Sequence, residues 1–182
     1  MVAMTQSEPR TDASLAAAWR TGDEGAAAEI VRRHAGAIAR FLYSAGAGRS
    51  DVDDLVQEAL FRGFRKLDTW RGEASLRSWL CCIAGNLLKD EYRRQRGRQV
   101  VSIEDDQVVD ASNPHEEAAA NESEARLRAG LLTLPRLQRE VFLMRAQQGC
   151  EYGDIAAALG STPGAARVHY HHAVKRLKEL MS

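Results

Sequence analysis

The chain has no net charge, no long apolar run and few cysteines, and each shortage excludes something. Its 182 residues carry 25 Lys+Arg against 25 Asp+Glu, and the sequence pI is about 7.0. A DNA-binding domain usually declares itself by a high pI, so the total argues against nucleic acid. No apolar stretch approaches the roughly 18–20 residues that span a bilayer, which argues against membrane insertion. Met1 to Asp12 shows no apolar core between a basic start and a small-residue cleavage site, so it is not read as a secretory signal. Three cysteines, Cys81, Cys82 and Cys150, exclude a disulfide scaffold and suggest reduced thiols in a cytoplasmic protein. The adjacent pair lacks the C-x-x-C spacing of a zinc or redox site. All three are expected as small buried hydrophobes. What remains, 45% hydrophobic and 27% charged residues, is an ordinary soluble globular composition of one domain or two small ones.

The zero is unevenly assembled. Residues 1–61 sum to −3, residues 62–96 to +5, residues 97–124 to −7 and residues 125–182 to +5. Two basic blocks are therefore separated by an acidic one, and such asymmetry says more than the total. The acidic block, Gly97 to Asn121, shows few apolar residues, no sustained period and an Asn113-Pro114 breaker. It cannot bury enough apolar surface to offset its ordering entropy. The chain is thus expected to be all-α: two small helical domains, 12–96 and 123–182, joined by a flexible acidic linker, 97–122. The linker is read as a solvated spacer in preference to a DNA mimic that screens a basic face.

Helical periodicity and caps support that division. Ser14 can cap a helix running through Trp19. Asp23 can cap the next, in which Ala26, Ile30, Val31, His34 and Ile38 recur at helical spacing until Gly46-Ala47-Gly48 breaks it. Asp51 is expected to cap a third, with Val52, Leu55, Val56, Ala59, Phe64 and Leu67 inward and Asp53, Asp54, Gln57 and Glu58 on the opposite face. Acids near a helix N-terminus also suit the macrodipole, which is the plain account of that face. A loop follows, Asp68-Thr69-Trp70-Arg71-Gly72-Glu73, and feeds a helix that begins near Ser75 and ends in Arg93-Arg94-Gln95-Arg96. Trp79 is read as core. Trp70 beside Arg71 is not, because aromatic and guanidinium planes stack unpaired bases while cations track phosphates.

In the second unit Thr133 and Pro135 open a helix that ends by Gly149. Glu151 to Gly160 forms a short helix closed by glycine. Thr162 and Pro163 then restart the chain as cap and first helical residue. Two helices across a tight glycine turn, the second bearing cations, form a helix-turn-helix, whose second helix reads the major groove. Small Ala156 would let the two approach closely.

Taken together, these residues resemble a known family. Asp51-Val52-Asp53-Asp54-Leu55-Val56-Gln57-Glu58-Ala59 is similar to the polymerase-binding helix of extracytoplasmic-function (ECF) sigma factors. Phe64 through Leu80, continuing by Ile83-Ala84-Gly85-Asn86-Leu87 to Asp90, resembles that family's promoter-melting segment. Leu134 to Phe142 and Tyr152-Gly153-Asp154-Ile155-Ala156 resemble its C-terminal domain. The resemblance implies a dissociable subunit of bacterial RNA polymerase that contacts the β′ clamp helices and the β flap of the core enzyme. It implies binding of double- and single-stranded promoter DNA, control by an anti-sigma factor, and no cofactor. Asp54, Leu55, Gln57 and Glu58 fall on the polymerase-contacting helix. Trp70, Arg71, Ser75, Arg77, Asn86, Asp90 and Arg93 fall on the −10 reader. Pro163, Gly164, Ala165, Arg167, Val168, His169, His171, His172 and Lys175 fall on the −35 reader.

The chain departs from the family pattern at Ala165-Ala166 and at the three histidines, where arginines are frequent. Imidazoles are mostly neutral near pH 7, so phosphate affinity is expected to be weaker or more pH-dependent. A metal site made from these histidines and Cys150 is disfavoured, because they do not share the i, i+4 face of paired ligands. No nucleophile–base pair and no phosphate-cradling glycine loop is present, so no enzymatic activity is expected. A DNA-binding regulator or a sigma mimic are the rival readings. The first leaves the Asp54–Glu58 face without a role, and the second makes the Trp70 loop dispensable.

Overall fold

The computed structural model describes residues 10–97 and 122–181. Among them every regular element is helical, and none is long and apolar enough to cross a membrane. The helices are α1 (Asp12–Arg20), α2 (Glu24–Ala45), α3 (Arg49–Lys66), α4 (Leu76–Gly97), α5 (Glu122–Leu132), α6 (Arg136–Phe142), α7 (Tyr152–Leu159) and α8 (Pro163–Met181). A short 3-10 turn, Leu67–Thr69, follows α3, and a π-helical turn, Leu143–Gln147, extends α6. The expected acidic linker lies outside the described residues except at its ends, where Gly97 closes α4 and Glu122 opens α5.

Local chemistry explains most helix ends and corrects two. Asp23 caps α2 as expected, accepting the Ala26 N–H at 3.2 Å. Gly46 ends that helix in the left-handed region at φ 119°, which favours glycine. The cap of α1, however, is Thr11 and not Ser14. The Ser14 N–H donates to Thr11 Oγ1 at 3.1 Å, and the Ser14 hydroxyl turns back to donate to the Thr11 carbonyl at 2.8 Å. Helix α3 likewise starts two residues ahead of the expected Asp51 cap, after Gly48. Asp51 sits inside the first turn, where its charge suits the helix dipole without capping.

The first unit buries Ile30, Ile38, Phe41, Leu42, Leu60, Leu80 and Leu87 among α2, α3 and α4, with α1 laid along α2. Gly63 allows α3 and α4 to close, since a Cβ there would meet Leu80 Cδ2 at 2.6 Å. Asp12 ties α1 to α2. It lies 3.0 Å from His34 Nε2, off-line for a well-directed hydrogen bond, and accepts from Arg33 at 3.3 Å. The second unit buries Leu131, Leu134, Val141, Leu143, Met144, Ile155 and Leu177. Ala156, 2% exposed, and Ala166 and Ala173 on α8 keep that small core tight.

The two units are not separate bodies. They share one apolar cluster and are stitched by polar contacts. Helix α2 has no cation in its own last turn. Arg128 of α5 donates to the Tyr43 carbonyl at 3.0 Å and the Ala47 carbonyl at 3.1 Å, and Arg139 of α6 donates to the Ala45 carbonyl at 2.9 Å. Both guanidiniums thereby supply the C-terminal charge complement that the helix lacks. Gln147 donates to Ser44 Oγ at 2.8 Å, and Gln148 donates to the Ala37 carbonyl at 3.2 Å. Arg139, Glu140 and Gln148 are buried polar residues of the second unit. Burial pulls the Arg139 guanidinium below its ordinary pKa.

Candidate nucleic-acid and partner interfaces

Helix α3 presents a continuous outer stripe. Asp54 and Gln57 are exposed, and Glu58 is half-exposed and accepts from Arg62 at 2.6 Å. Leu55, an inward position by periodicity that the resemblance also places on the polymerase-contacting helix, packs against the core at its edge. Phe61 continues the stripe at 57% exposure with the Arg65 guanidinium 5.7 Å from its ring centre. Spacings of seven, four and three residues from Asp54, Gln57 and Glu58 place Phe61 on the same helical face. That periodicity was available in the sequence and marks an exposed aromatic that inward-directed pattern reading passes over.

The Trp70 loop is held from two sides. Arg20, the last residue of α1, donates to Asp68 Oδ1 at 3.1 Å and to the Leu67 carbonyl at 2.7 Å. Trp70 is half-buried, and its indole N–H donates to the Ala74 carbonyl at 2.9 Å. Its polar handle is therefore satisfied within the loop. Arg71 is exposed beside it, and Gly72 adopts φ 77°. Ser75 caps α4, accepting the Ser78 N–H at 3.2 Å, and its hydroxyl meets Ser78 Oγ at 2.8 Å. Arg77 reaches the Gln148 carbonyl of the second unit at 3.4 Å. Asn86 accepts from Arg136 at 2.8 Å. Asp90 and Arg93 are exposed further along α4.

The second unit carries the expected helix-turn-helix. Gly160 closes α7 at φ 64°, and Ser161 N–H returns to the Ala156 carbonyl at 2.8 Å. Thr162 Oγ1 caps α8 by accepting the Ala165 N–H at 3.2 Å. Pro163, Gly164, Arg167, Val168, His171, His172 and Lys175 are exposed, and Ala165 is half-buried. His169 is set apart from them: it is half-buried, and its Nδ1 is enclosed without a hydrogen-bond partner. Tyr152, at the start of α7, was given no site role by the sequence beyond its place in the Tyr152–Ala156 motif. Its ring lies 4.9 Å from the Arg145 guanidinium and 5.1 Å from that of Arg167. Two cations within cation–π range of one ring are thereby held near the start of α8.

The cysteines do not form a site. Cys81 and Cys150 are buried and Cys82 is half-buried. Burial pushes the Cys81 thiol up to about 12, and burial raises Cys82 and Cys150 as well. Among the described residues no group of His, Cys, Asp and Glu is arranged to hold a metal ion.

Comparison with known proteins gives a consistent result along the chain. Residues 30–98 match the family Sigma-70 region 2, and residues 124–177 match Sigma-70, region 4. The RNA polymerase sigma factor CnrH of Cupriavidus metallidurans is 30% identical, covering 93% of this chain and 94% of that protein. The ECF RNA polymerase sigma factor SigF of Caulobacter vibrioides is 32% identical, covering 79% of this chain and 78% of that protein. Among solved structures, CnrH in complex with the cytosolic domain of CnrY aligns with a TM-score of 0.72 at 28% identity, over 93% of this chain and 96% of that one. The sigma factor RpoE of Bartonella quintana, in complex with the anti-sigma factor NepR, aligns at 0.64 and 26% identity, over 84% and 94%.

Proposed function

Because the chain belongs to the ECF group of RNA polymerase sigma factors, which are transcription initiation factors and not enzymes, we propose that it divides promoter recognition between its two units. The outer stripe of α3, from Asp54 to Glu58, binds the β′ clamp helices of core polymerase, and Phe61 extends that contact. The second unit docks on the −35 element and meets the β flap. The Trp70 loop and α4 capture the −10 strand as it opens. The domain limits are 12–96 and 123–182.

The observation that carries this reading is the pairing of two unlike exposed surfaces on one chain. One is an acidic stripe that duplex DNA would repel. The other is a capped helix with Arg167, His171, His172 and Lys175 outward. Phosphate contacts position such a helix, and base-edge contacts near its N-terminus specify the sequence. With its N–H already satisfied by Ala74, Trp70 offers an unstacked base a ring face and no hydrogen bond. Strand capture by stacking costs little in sequence preference, because every base has a π-face. The relatives CnrH and RpoE were solved with CnrY and NepR, which supports control of this chain by a protein of the anti-sigma kind.

The test is purified protein with core polymerase on a library of supercoiled promoters. Transcription from a subset is expected. Folded protein that opens no promoter would reject the reading. Asp54→Ala with Gln57→Ala is expected to weaken core binding and to leave binding to isolated −35 duplex unchanged. An equal loss of both would make the acidic stripe merely structural.

A further inference from the structure

We propose that Tyr152 is a positioning residue for −35 reading: its ring holds the Arg167 guanidinium ready to take a guanine edge. The proposal rests on the promoter-reading role given above and names the side chain and the base on which that reading turns.

Charge singles out Arg167. From Pro163 to Val174 it is the one Lys or Arg of α8. Its exposed neighbours on that stretch include Val168, His171 and His172, and imidazoles are mostly neutral near pH 7. The N-terminal part of such a helix meets base edges, and the arginine fork matches the O6 and N7 acceptors of guanine. Arg167 is therefore the permanently charged bidentate donor of that stretch.

A ring holds it, and its donors stay unspent. Among the described residues Arg167 makes no hydrogen bond or ion pair, and its guanidinium lies 5.1 Å from the Tyr152 ring centre. Arg145 is the contrast on the same ring. It lies 4.9 Å from the ring centre, but it also donates to the Cys150 carbonyl at 3.0 Å and to Glu151 Oε1 at 3.1 Å. Those bonds tie Arg145 to the loop before α7, and the Glu151 carboxylate offsets its charge, so one ring can serve both cations. A carboxylate would occupy the fork of Arg167 in the same way. An aromatic ring attracts the cation through its quadrupole and takes none of its hydrogen bonds.

The ring is itself fixed by three helices. Tyr152 opens α7 and meets Tyr170 of α8 edge-on at 6.1 Å, while Tyr170 stacks on Phe142 at the end of α6 at 5.8 Å. Tyr170 lies three residues beyond Arg167, one turn along the same helix. The ring is thus located by packing before DNA arrives, and it restricts the arginine in turn. A long side chain already held near its bound pose loses less freedom on binding.

The experiment uses the full chain with core polymerase on a library of promoters randomised at the −35 element. Selected duplexes are then remade with 7-deazaguanine, which lacks the N7 acceptor, at single −35 guanines. Wild type is expected to select a guanine and to lose about tenfold in affinity when that base loses N7. Arg167→Ala should abolish the preference at that base pair. Tyr152→Leu should reduce it about threefold to fivefold, as for one exposed cation–π contact, and Tyr152→Phe should retain it. Added to Arg167→Ala, Tyr152→Leu should cost nothing further at that pair. In the free full chain the Arg167 Hε resonance should be displaced by the ring current in wild type and in Tyr152→Phe, and not in Tyr152→Leu.

Equal losses in Tyr152→Phe and Tyr152→Leu would put the hydroxyl in place of the ring and overturn the proposal. So would a Tyr152→Leu variant that keeps its guanine preference, or that weakens evenly at every base pair, as a merely structural residue would. If Tyr152→Leu fails to fold, wild type decides alone: an Arg167 Hε resonance without ring-current displacement overturns the proposal. A wild type that transcribes but shows no guanine dependent on Arg167 rejects this inference and spares the promoter reading. Folded wild type that selects no promoter at all rejects both.

Discussion

The two surfaces proposed to read DNA stand in different states within one molecule. On the second unit, Arg167, Val168, His171, His172 and Lys175 face solvent from a helix whose cap is complete. On the first, Ser75 is used as a cap, Arg77 and Asn86 are engaged by the other unit, and the Trp70 N–H is bonded within its loop. The difference concerns the work each surface does. A duplex reader meets DNA as it is and needs only a rigid, solvated face. A strand-opening surface would capture bases indiscriminately if it stood open, since stacking is sequence-tolerant. The proposed duplex reader is solvent-exposed, whereas Arg77 and Asn86 of the proposed opening surface are occupied by the second unit.

The sharpest break in that comparison is Arg139→Ala. The change leaves the buried Ala45 carbonyl without its donor and removes the charge at the end of α2. A loss of about 3 kcal/mol is expected in urea denaturation, in the range for a buried charge-assisted hydrogen bond. Arg62→Ala serves as the contrast. Its partner Glu58 is 44% exposed, and pairs of that kind contribute about 0.5 kcal/mol or less. Equal effects would show that Arg139 is a peripheral ion and not an anchor between the two units.

The next expected effects are a matched pair. Trp70→Leu keeps apolar bulk but loses the stacking face, so promoter opening in the holoenzyme should fall about tenfold, as for one lost base–aromatic stack. Permanganate reactivity of the opened strand measures it, and −35 duplex affinity should hold. Thr162→Ala removes the cap of α8 at a cost of about 1 kcal/mol and should weaken −35 duplex binding about fivefold. Opening measured at saturating holoenzyme should hold there. If either variant damages both readouts equally, the division of labour between the surfaces is lost.

Sequence reading succeeds where the chemistry is local. Asp23, Gly46, Gly160 and Thr162 act within a few residues of themselves, and each helix end they mark is found in place. The same local rules misplace two starts, because Ser14 and Asp51 are good caps that lie three residues downstream of equally competent backbone. Helix α5 is harder to read. Its apolar residues, Leu127, Leu131 and Leu132, are few and need α2 and α8 to bury them. The union of the two units is not legible at all. Arg128, Arg139 and Gln148 bond to backbone carbonyls, which every residue has, so no side-chain pattern announces the partner. Segment charge found the basic blocks, but it could not show that three of the second block's arginines, Arg128, Arg136 and Arg139, reach across to the first unit.

The smallest expected effect tests whether the opening surface depends on its own unit's first helix. Arg20 at the end of α1 braces the Trp70 loop, and Asp12 at the start of α1 fastens that helix to α2. The His34 imidazole first, and then the Arg33 guanidinium, hold the Asp12 carboxyl below its ordinary value of 3.8, against partial desolvation. A depressed carboxylate pKa means the folded chain binds this proton less readily than the unfolded one. The group's stabilisation is therefore fully present above about pH 4 and is lost as pH falls through the lower folded value. Asp12→Asn should be less stable than wild type at pH 5–7, and the gap should close in strong acid. Urea midpoints at pH 7 and pH 3 measure it. At neutral pH the variant should also open promoters somewhat less well, with −35 duplex binding untouched, because the polar contacts that Asp12 and Arg20 make from α1 run to α2 and the Trp70 loop. A stability gap that persists unchanged at acid pH would assign the effect to side-chain packing, and Asp12 would no longer link the first helix to the opening loop through its charge.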